Sequence, residues 1–504
     1  MSWPSRPTSP TGFGPGVSVQ CGLTPFQFGL GPTSVCKPLT SPARPWLTHL
    51  SPRCRQTAGL ATMIDHPSVT SIETTAVALL SWRGIGSNRR CPFPEGSWQG
   101  RIVVKRGQMP FTRDVVVVGG CGRVGLPLAL AFADRGSQVA IYDINESAVE
   151  RVNAGEMPFA EDGASEVLSR TIGDQLVATT DPQVVSSAEH VVVIIGTPVD
   201  EHLNPDPNAV SGAVRDILEY FVDGQLLVLR STLYPGTTAM VETTVRKSNK
   251  QIDVTFCPER IAEGKAMVEL FELPQIVTGR SESVLDRAEK LFRNLTAQTV
   301  RMQPEEAELA KLFTNTWRYI KFATANQLFM MANDFGLDYE RIRSGLALDY
   351  PRAADLPGAG FAAGPCLLKD TMQLAAFNNN NFVLGHAAML VNEGLPLYLV
   401  SRLEERYPIA DMTVGILGMA FKGESDDTRS SLSYKLKRIL RFKAGRILCH
   451  DPYVTSDSDL SPLDEVLDES DLLILATPHR VYEGLDTAVP VINIWGRDGK
   501  GLVL

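Results

Sequence analysis

Residues 114–143 constrain this chain more than any other stretch. Val115-Val116-Val117-Val118 is an apolar run without alternation, the pattern of a strand buried on both faces. It leads straight into Gly120-x-Gly122-Arg123-Val124-Gly125 and then the helical run 126–133, where Pro127 is tolerated because it falls in the first turn. A second strand over 138–142 ends on Asp143, 23 residues beyond Gly120. Glycine at 122 lets backbone approach a pyrophosphate, and the helix N-terminus offers positive potential to it. A carboxylate closing the next strand suits the hydroxyls of an adenosine ribose and disfavours a 2′-phosphate. The expectation is NAD rather than NADP, held by Gly120, Gly122, Val124, Gly125 and Asp143.

More strand–loop material follows. Apolar runs over 190–195 and 225–229 lead to Thr197 and Thr232, at the edge where doubly wound sheets bind ligands. A short strand over 254–256 precedes Pro258-Glu259 and Glu263, two acids that share a face if the segment is helical. From 305 to about 335 no Gly or Pro interrupts a helical pattern, with an apolar stripe of Leu309, Leu312, Phe313, Thr316, Ile320 and Ala323. Lys311 and Asn315 lie four apart on that helix and could donate together to an oxyanion. A helix this long commonly joins domains or packs against its copy in a dimer. A further α/β pattern begins near Thr413, and its glycine spacing is not a dinucleotide fingerprint. There Lys422 and Arg429 are candidates for a phosphate. The predicted class is α/β, with two Rossmann-like domains joined by a long helix and a central helical domain. The expected division is 1–110 as an extension, 111–300 for NAD, 301–408 as the helical centre and 409–504 for the nucleotide sugar.

Bulk composition narrows the options. The 504 residues suffice for two to four domains, and 44% apolar with 21% charged is ordinary for a globular protein. A net charge of −9 argues against nucleic acid as a partner. No run of about 20 apolar residues predicts a membrane span. Eight cysteines without CxxC or Cys/His spacing predict neither a disulfide framework nor a metal site, and a reducing cytoplasm is the simplest home. Residues 1–110 are rich in Pro, Ser, Thr and Gly, with Asp65, Glu73 and Glu95 as the only acids. That composition predicts disorder, or a true start near Met109, with a targeting peptide as the weaker reading.

One cysteine stands apart. Cys366 closes the loop Gly358-Ala-Gly360-Phe361-Ala362-Ala363-Gly364-Pro365 and precedes Lys369-Asp370. A nicotinamide removes a hydride, and a thiolate holds the resulting aldehyde while a second hydride leaves. The two together predict an alcohol oxidised to an acid on one protein. Neighbouring Lys369 and Lys311 are expected to lower the thiol pKa by their charge.

From 114 to the C-terminus the chain resembles the UDP-glucose/GDP-mannose dehydrogenase family. The resemblance is carried by the fingerprint with Leu126-Pro127-Leu128-Ala129, by Met157-Pro158-Phe159, Gly196-Thr197-Pro198, Ser231-Thr232 and Pro258-Glu259, and by Glu308-Leu-Ala-Lys311-Leu-Phe-Thr-Asn315, Cys366-Leu-Leu-Lys369-Asp370 and Ala420-Phe421-Lys422. The runs 257–264 and Tyr350-Pro351-Arg352 are similar to the branch acting on UDP-N-acetylhexosamines. The resemblance implies oxidation of C6 to the uronic acid with two NAD reduced. It implies Cys366 as nucleophile, Lys311 and Asn315 near the oxyanion, and Asp370 positioning or deprotonating water or the lysine. It further implies Glu259 as acid or base, Thr232 holding water, and Lys369 beside the nucleophile on the cofactor side. Glu263, Gly360, Phe361, Lys422 and Arg429 fall on the substrate side, with Arg352 reaching substrate across a dimer interface. Two departures stand out: Ala362-Ala363-Gly364-Pro365 replaces a more glycine-rich loop, and Asn493 stands where many relatives have Asp. UDP-glucose as substrate, a non-catalytic nucleotide-sugar binder and a simple 3-hydroxy-acid dehydrogenase remain the alternatives.

Overall fold

The computed structural model describes residues 111–200 and 202–496, all within one compact unit. Expectations for 1–110 lie outside the described residues. Strands β1 (Arg113–Val118), β2 (Val139–Tyr142), β3 (Leu176–Thr179), β4 (Ala188–Val193), β5 (Leu226–Leu229) and β6 (Asp253–Phe256) form one parallel sheet. Its order is β3-β2-β1-β4-β5-β6. The order reverses between β1 and β4, so a crevice opens beyond their C-terminal ends. The unbroken valine run is explained by burial on both sides. Val115 and Val117 pack with Leu126, Leu130 and Phe132 of the helix Gly125–Asp134, while Val116 and Val118 pack with Val191, Val193, Leu227 and Leu229. β7 (Gln275–Thr278) and β8 (Thr299–Met302) form a separate parallel pair.

The long helix runs Pro304–Asp334, within a residue of its predicted ends. Proline occupies its first turn, and Gln303 and Glu306 form a capping box. The helices Leu367–Phe377 and Val383–Arg406 pack against it. Leu312, Thr316, Tyr319 and Ala323 are buried there, but the predicted stripe is wrong at Phe313. Phe313 is 53% exposed and shares an outward face with Trp317, 59% exposed, because the two packed helices cover only the other side. Val383–Arg406 is long and apolar enough to cross a membrane by length and composition. It nevertheless contains Pro396 and buries Asn392, whose amide accepts from Asn326 Nδ2 at 2.9 Å and donates to the Tyr319 carbonyl at 3.1 Å. These features belong to a core helix.

A second parallel sheet comprises β9 (Thr413–Leu417), β10 (Arg446–His450), β11 (Leu472–Leu475) and β12 (Val491–Asn493), in the order β10-β9-β11-β12. The two sheets repeat one device. Asp143, just past β2, accepts the backbone N–H of Cys121 at 2.9 Å. Asp451, just past β10, accepts the N–H groups of Met419 and Ala420 at 2.7 and 2.9 Å. In the second sheet His479 also reaches Asp451, at 3.0 Å, so that carboxylate is more fully engaged than Asp143.

Candidate active site

The loop 358–366 forms one wall of a cleft of about 340 Å³, open to solvent. Lys311, Asn315, Glu263, Gly360, Phe361, Lys422 and Cys366 all line it. Seven of the predicted residues, from four separated segments, therefore meet in one place. Backbone packing explains the loop path. Gly360 and Gly364 have φ of +148° and +101°, and a Cβ would fall 2.3 Å from the Trp495 ring and 2.6 Å from the Phe421 ring. The chain has alanine at 362 and 363 but keeps glycine where aromatics from the C-terminal sheet lie on the loop.

Cys366 stands immediately before the helix Leu367–Phe377 and is an exposed residue whose thiol is set against the cleft wall, whereas Cys121, Cys257 and Cys449 are buried. The expected drop in its pKa is not what the structure gives. Desolvation by the crowded cleft wall, then Asp370, push the thiol up; Lys369, Lys311 and Arg429 pull it down but do not prevail. Asp370 is wholly buried and held on both oxygens: Asn315 Nδ2 donates at 2.5 Å, and Lys369 Nζ donates to the other. Lys369 also reaches Thr197 Oγ1 at 3.4 Å, tying the cysteine helix to the loop after β4. Lys369 therefore stands between the cleft and the cofactor crevice. Thr232 is half-buried just beyond β5 on the same sheet edge.

Glu259, Arg352 and Arg429 do not line the cleft, and Glu263 and Lys422 line it while engaged by other groups. Residues 258–264 are not helical, so Glu259 and Glu263 do not share a helix face. Glu259 is buried and paired with Arg230, whose side chain is 1% exposed. Its other oxygen accepts the N–H groups of Arg260 and Ile261 at 2.6 and 3.0 Å, and it does not line the cleft. Glu263 turns instead to Arg123 at 2.7 Å. Burial, then Asp427, raise the Glu263 pKa to about 7 against the pull of Arg123, Arg429 and Lys422. Lys422 donates to the Glu263 carbonyl, and burial lowers its own pKa. Arg429 pairs with Asp427 at 2.6 Å and lies 3.8 Å from Glu263. Arg352 is exposed, 3.4 Å from the Tyr350 hydroxyl, and away from the cleft. Sequence reasoning missed Arg123, Phe421 and Trp495. An arginine at a variable fingerprint position carries no pattern, and Phe421 stood in the Ala420-Phe421-Lys422 motif with no role assigned to it.

The crevice fits NAD. A Cβ at Gly122 would meet only the Gly119 carbonyl at 3.7 Å, so the loop presents an open concave face, while one at Gly125 would strike Gly119 O and Gly120 Cα at 2.7 Å. Gly122 clears room for a ligand and Gly125 brings helix to loop. Among the described residues no group of three His, Cys, Asp or Glu could hold a metal.

A nucleotide-binding parallel sheet beside a cleft with an exposed cysteine defines an NAD-dependent oxidoreductase. Comparison with known proteins gives the class its family. Family models for the NAD-binding domain, the central domain and the UDP-binding domain of UDP-glucose/GDP-mannose dehydrogenases match residues 114–296, 305–393 and 415–493. The UDP-N-acetyl-D-mannosamine dehydrogenase of Escherichia coli K12 is 30% identical over 401 residues, 73% of this chain and 94% of that protein. Its namesake from Pyrococcus horikoshii is 29% identical over 385 residues, 74% of this chain and 91% of that protein. Among solved structures, a UDP-glucose dehydrogenase from Pyrobaculum islandicum superposes with a TM-score of 0.70 at 29% identity, covering 78% of this chain and 96% of its own. The chain belongs to the UDP-glucose/GDP-mannose dehydrogenase family.

Proposed function

We propose that the protein oxidises the C6 alcohol of a UDP-N-acetylhexosamine, UDP-N-acetylmannosamine foremost, to the uronic acid. The names of its relatives at about 30% identity support the sugar, and the meeting of Cys366, Lys311 and Asn315 in one cleft carries the chemistry. Gly120, Gly122, Val124, Gly125, Asp143, Thr197, Thr232 and Lys369 hold NAD, which supplies a hydride acceptor for each of two oxidations. The chain's own work lies between them. Cys366 Sγ adds to the C6 aldehyde and holds the carbon as a thiohemiacetal, while Lys311 and Asn315 donate to its oxygen. After the second oxidation water attacks the thioester, the C–S bond breaks and the acid leaves. Alcohol, water and two NAD thus become carboxylate, two NADH and three protons. Asp370 positions Asn315 and Lys369, and Thr232 and Glu259 serve the water steps. Lys422, Arg429, Glu263, Gly360 and Phe361 take the nucleotide sugar.

The working division is 111–300, 301–408 and 409–504. The exposed Phe313 and Trp317 on the long helix support a homodimer through that helix, and Arg352, which does not line the cleft of its own chain, is assigned to the cleft of the other copy. UDP-glucose is the second reading, favoured by the likeness to the Pyrobaculum islandicum structure. NADH absorbance with a panel of UDP-sugars separates them. UDP-N-acetylmannosamine should yield two NADH per substrate consumed; preference for UDP-glucose would replace the sugar assignment, and no NADH from any UDP-sugar would sink the activity.

A further inference from the structure

Arg123 belongs to the cofactor fingerprint, yet its guanidinium is spent on two other parts of the chain. Nη1 donates to Glu263 Oε1 at 2.7 Å, in the loop after β6, and to Asp426 Oδ1 at 2.6 Å, in the loop after β9. Nε lies 3.9 Å from Asp427. The side chain is 20% exposed and stacks 5.1 Å from the Phe159 ring. Its partners adjoin the cleft. Glu263 lines the cleft and its carbonyl accepts from Lys422, which lines the same cleft, while Asp427 binds the guanidinium of Arg429.

Glu263, Asp426 and Asp427 face Arg123, Arg429 and Lys422. Glu263 is raised to about 7 even with Arg123 in place, burial and Asp427 being the main causes. Taking Arg123 away leaves an acidic cluster that is partly buried and short of a cation, and the loops that carry it repel one another.

We infer that Arg123 is a positioning residue for the nucleotide-sugar site: by holding Glu263 and Asp426 against the cofactor loop, it keeps Lys422 in the wall of the cysteine cleft and Arg429, paired with Asp427, beside it. This rests on the proposed reading that the cleft takes a UDP-sugar. The residue acts from the cofactor side on a ligand it does not touch. Its removal should therefore weaken the nucleotide and spare NAD.

The test titrates full-length wild type, R123Q, R123K, D426N and R123Q/D426N with UDP, and separately with NAD, by calorimetry. R123Q should bind UDP about tenfold more weakly, the scale of an ordinary coupling between sites, with NAD affinity within about twofold of wild type. R123K should recover part of the loss, since it restores the charge without the fork. In the R123Q background, D426N should cost less than it does alone. Intact NAD binding certifies the fold of each variant. Equal UDP binding by R123Q and wild type, a loss confined to NAD, a parallel loss of both ligands, or strictly additive effects would each overturn the inference while leaving the UDP-sugar reading in place. Failure of wild type itself to bind UDP would overturn both.

Discussion

Asn315 Nδ2 donates to Asp370 Oδ2 at 2.5 Å, and the same buried carboxylate is one of the two causes that lift the Cys366 thiol. One acid thus orients the proposed oxyanion donor and restrains the proposed nucleophile. At neutral pH the raised pKa leaves little thiolate, so reactivity should climb as pH rises toward the pKa. Asp370→Asn removes the negative charge beside the thiol while Lys369, Lys311 and Arg429 remain. The thiol pKa then falls, and the profile of Cys366 alkylation by iodoacetamide moves to lower pH. Mass spectrometry of the Cys366 peptide isolates this thiol from the others; a profile that stays put, or moves up, refutes the assignment.

Asn315→Ala should lower kcat by about 10²–10³, the usual effect of losing one oxyanion donor. It also strips a buried acceptor of its partner, which costs about 1–3 kcal/mol of stability. Asn315→Asp would set a second carboxylate against Asp370 and destabilise more. Stopped-flow turnover beside thermal melts separates the two effects. A fall in melting temperature without a fall in kcat would leave Asn315 a purely structural role.

Much of this architecture was legible because local patterns sufficed for it. The Val115–Val118 run betrayed a doubly covered strand, the spacing of Gly120, Gly122, Gly125 and Asp143 named the crevice, and Lys311 with Asn315 followed from helical periodicity. What stayed hidden depends on partners distant in sequence. Glu259 and Glu263 are four apart but diverge, because Arg230 and Arg123 draw them to opposite neighbours. The exposure of Phe313 was set by which side of the long helix its two companions cover. The sign of the Cys366 shift needed the depth of its surroundings as well as the nearby lysines.

Glycine at 360 and 364 should prove irreplaceable, unlike the neighbouring positions 362 and 363. Gly360→Ala and Gly364→Ala each force a side chain onto a positive φ and into an aromatic ring, at 2.3 Å from Trp495 and 2.6 Å from Phe421. The backbone strain alone costs about 1–3 kcal/mol. Melting temperature should drop and KM for the nucleotide sugar should rise, because the loop that carries Cys366 can no longer pack under the C-terminal sheet. Trimming the ring in Gly364→Ala/Phe421→Leu relieves the collision but not the strained φ, so recovery should be partial. Wild-type melting and KM in Gly364→Ala would show that the loop tolerates a Cβ.

Glu259 offers the sharpest separation of structure from chemistry. Its pair with Arg230 is nearly sealed from solvent, the side chains being 11% and 1% exposed. Arg230 Nη1 also donates to the Cys257 carbonyl and to Gln275 Oε1, each at 3.0 Å. Removing one charge from such a pair leaves the other buried and uncompensated, at a cost of about 3–5 kcal/mol. Glu259→Gln should therefore unfold at markedly lower denaturant. Arg230→Met/Glu259→Gln, which removes both charges, should regain part of that stability. Activity then decides the second role. If the double variant is stable and still inactive, the carboxylate serves the water steps as proposed. If it is stable and turns over at the wild-type rate, Glu259 does no more than anchor the loop after β6 to the end of β5.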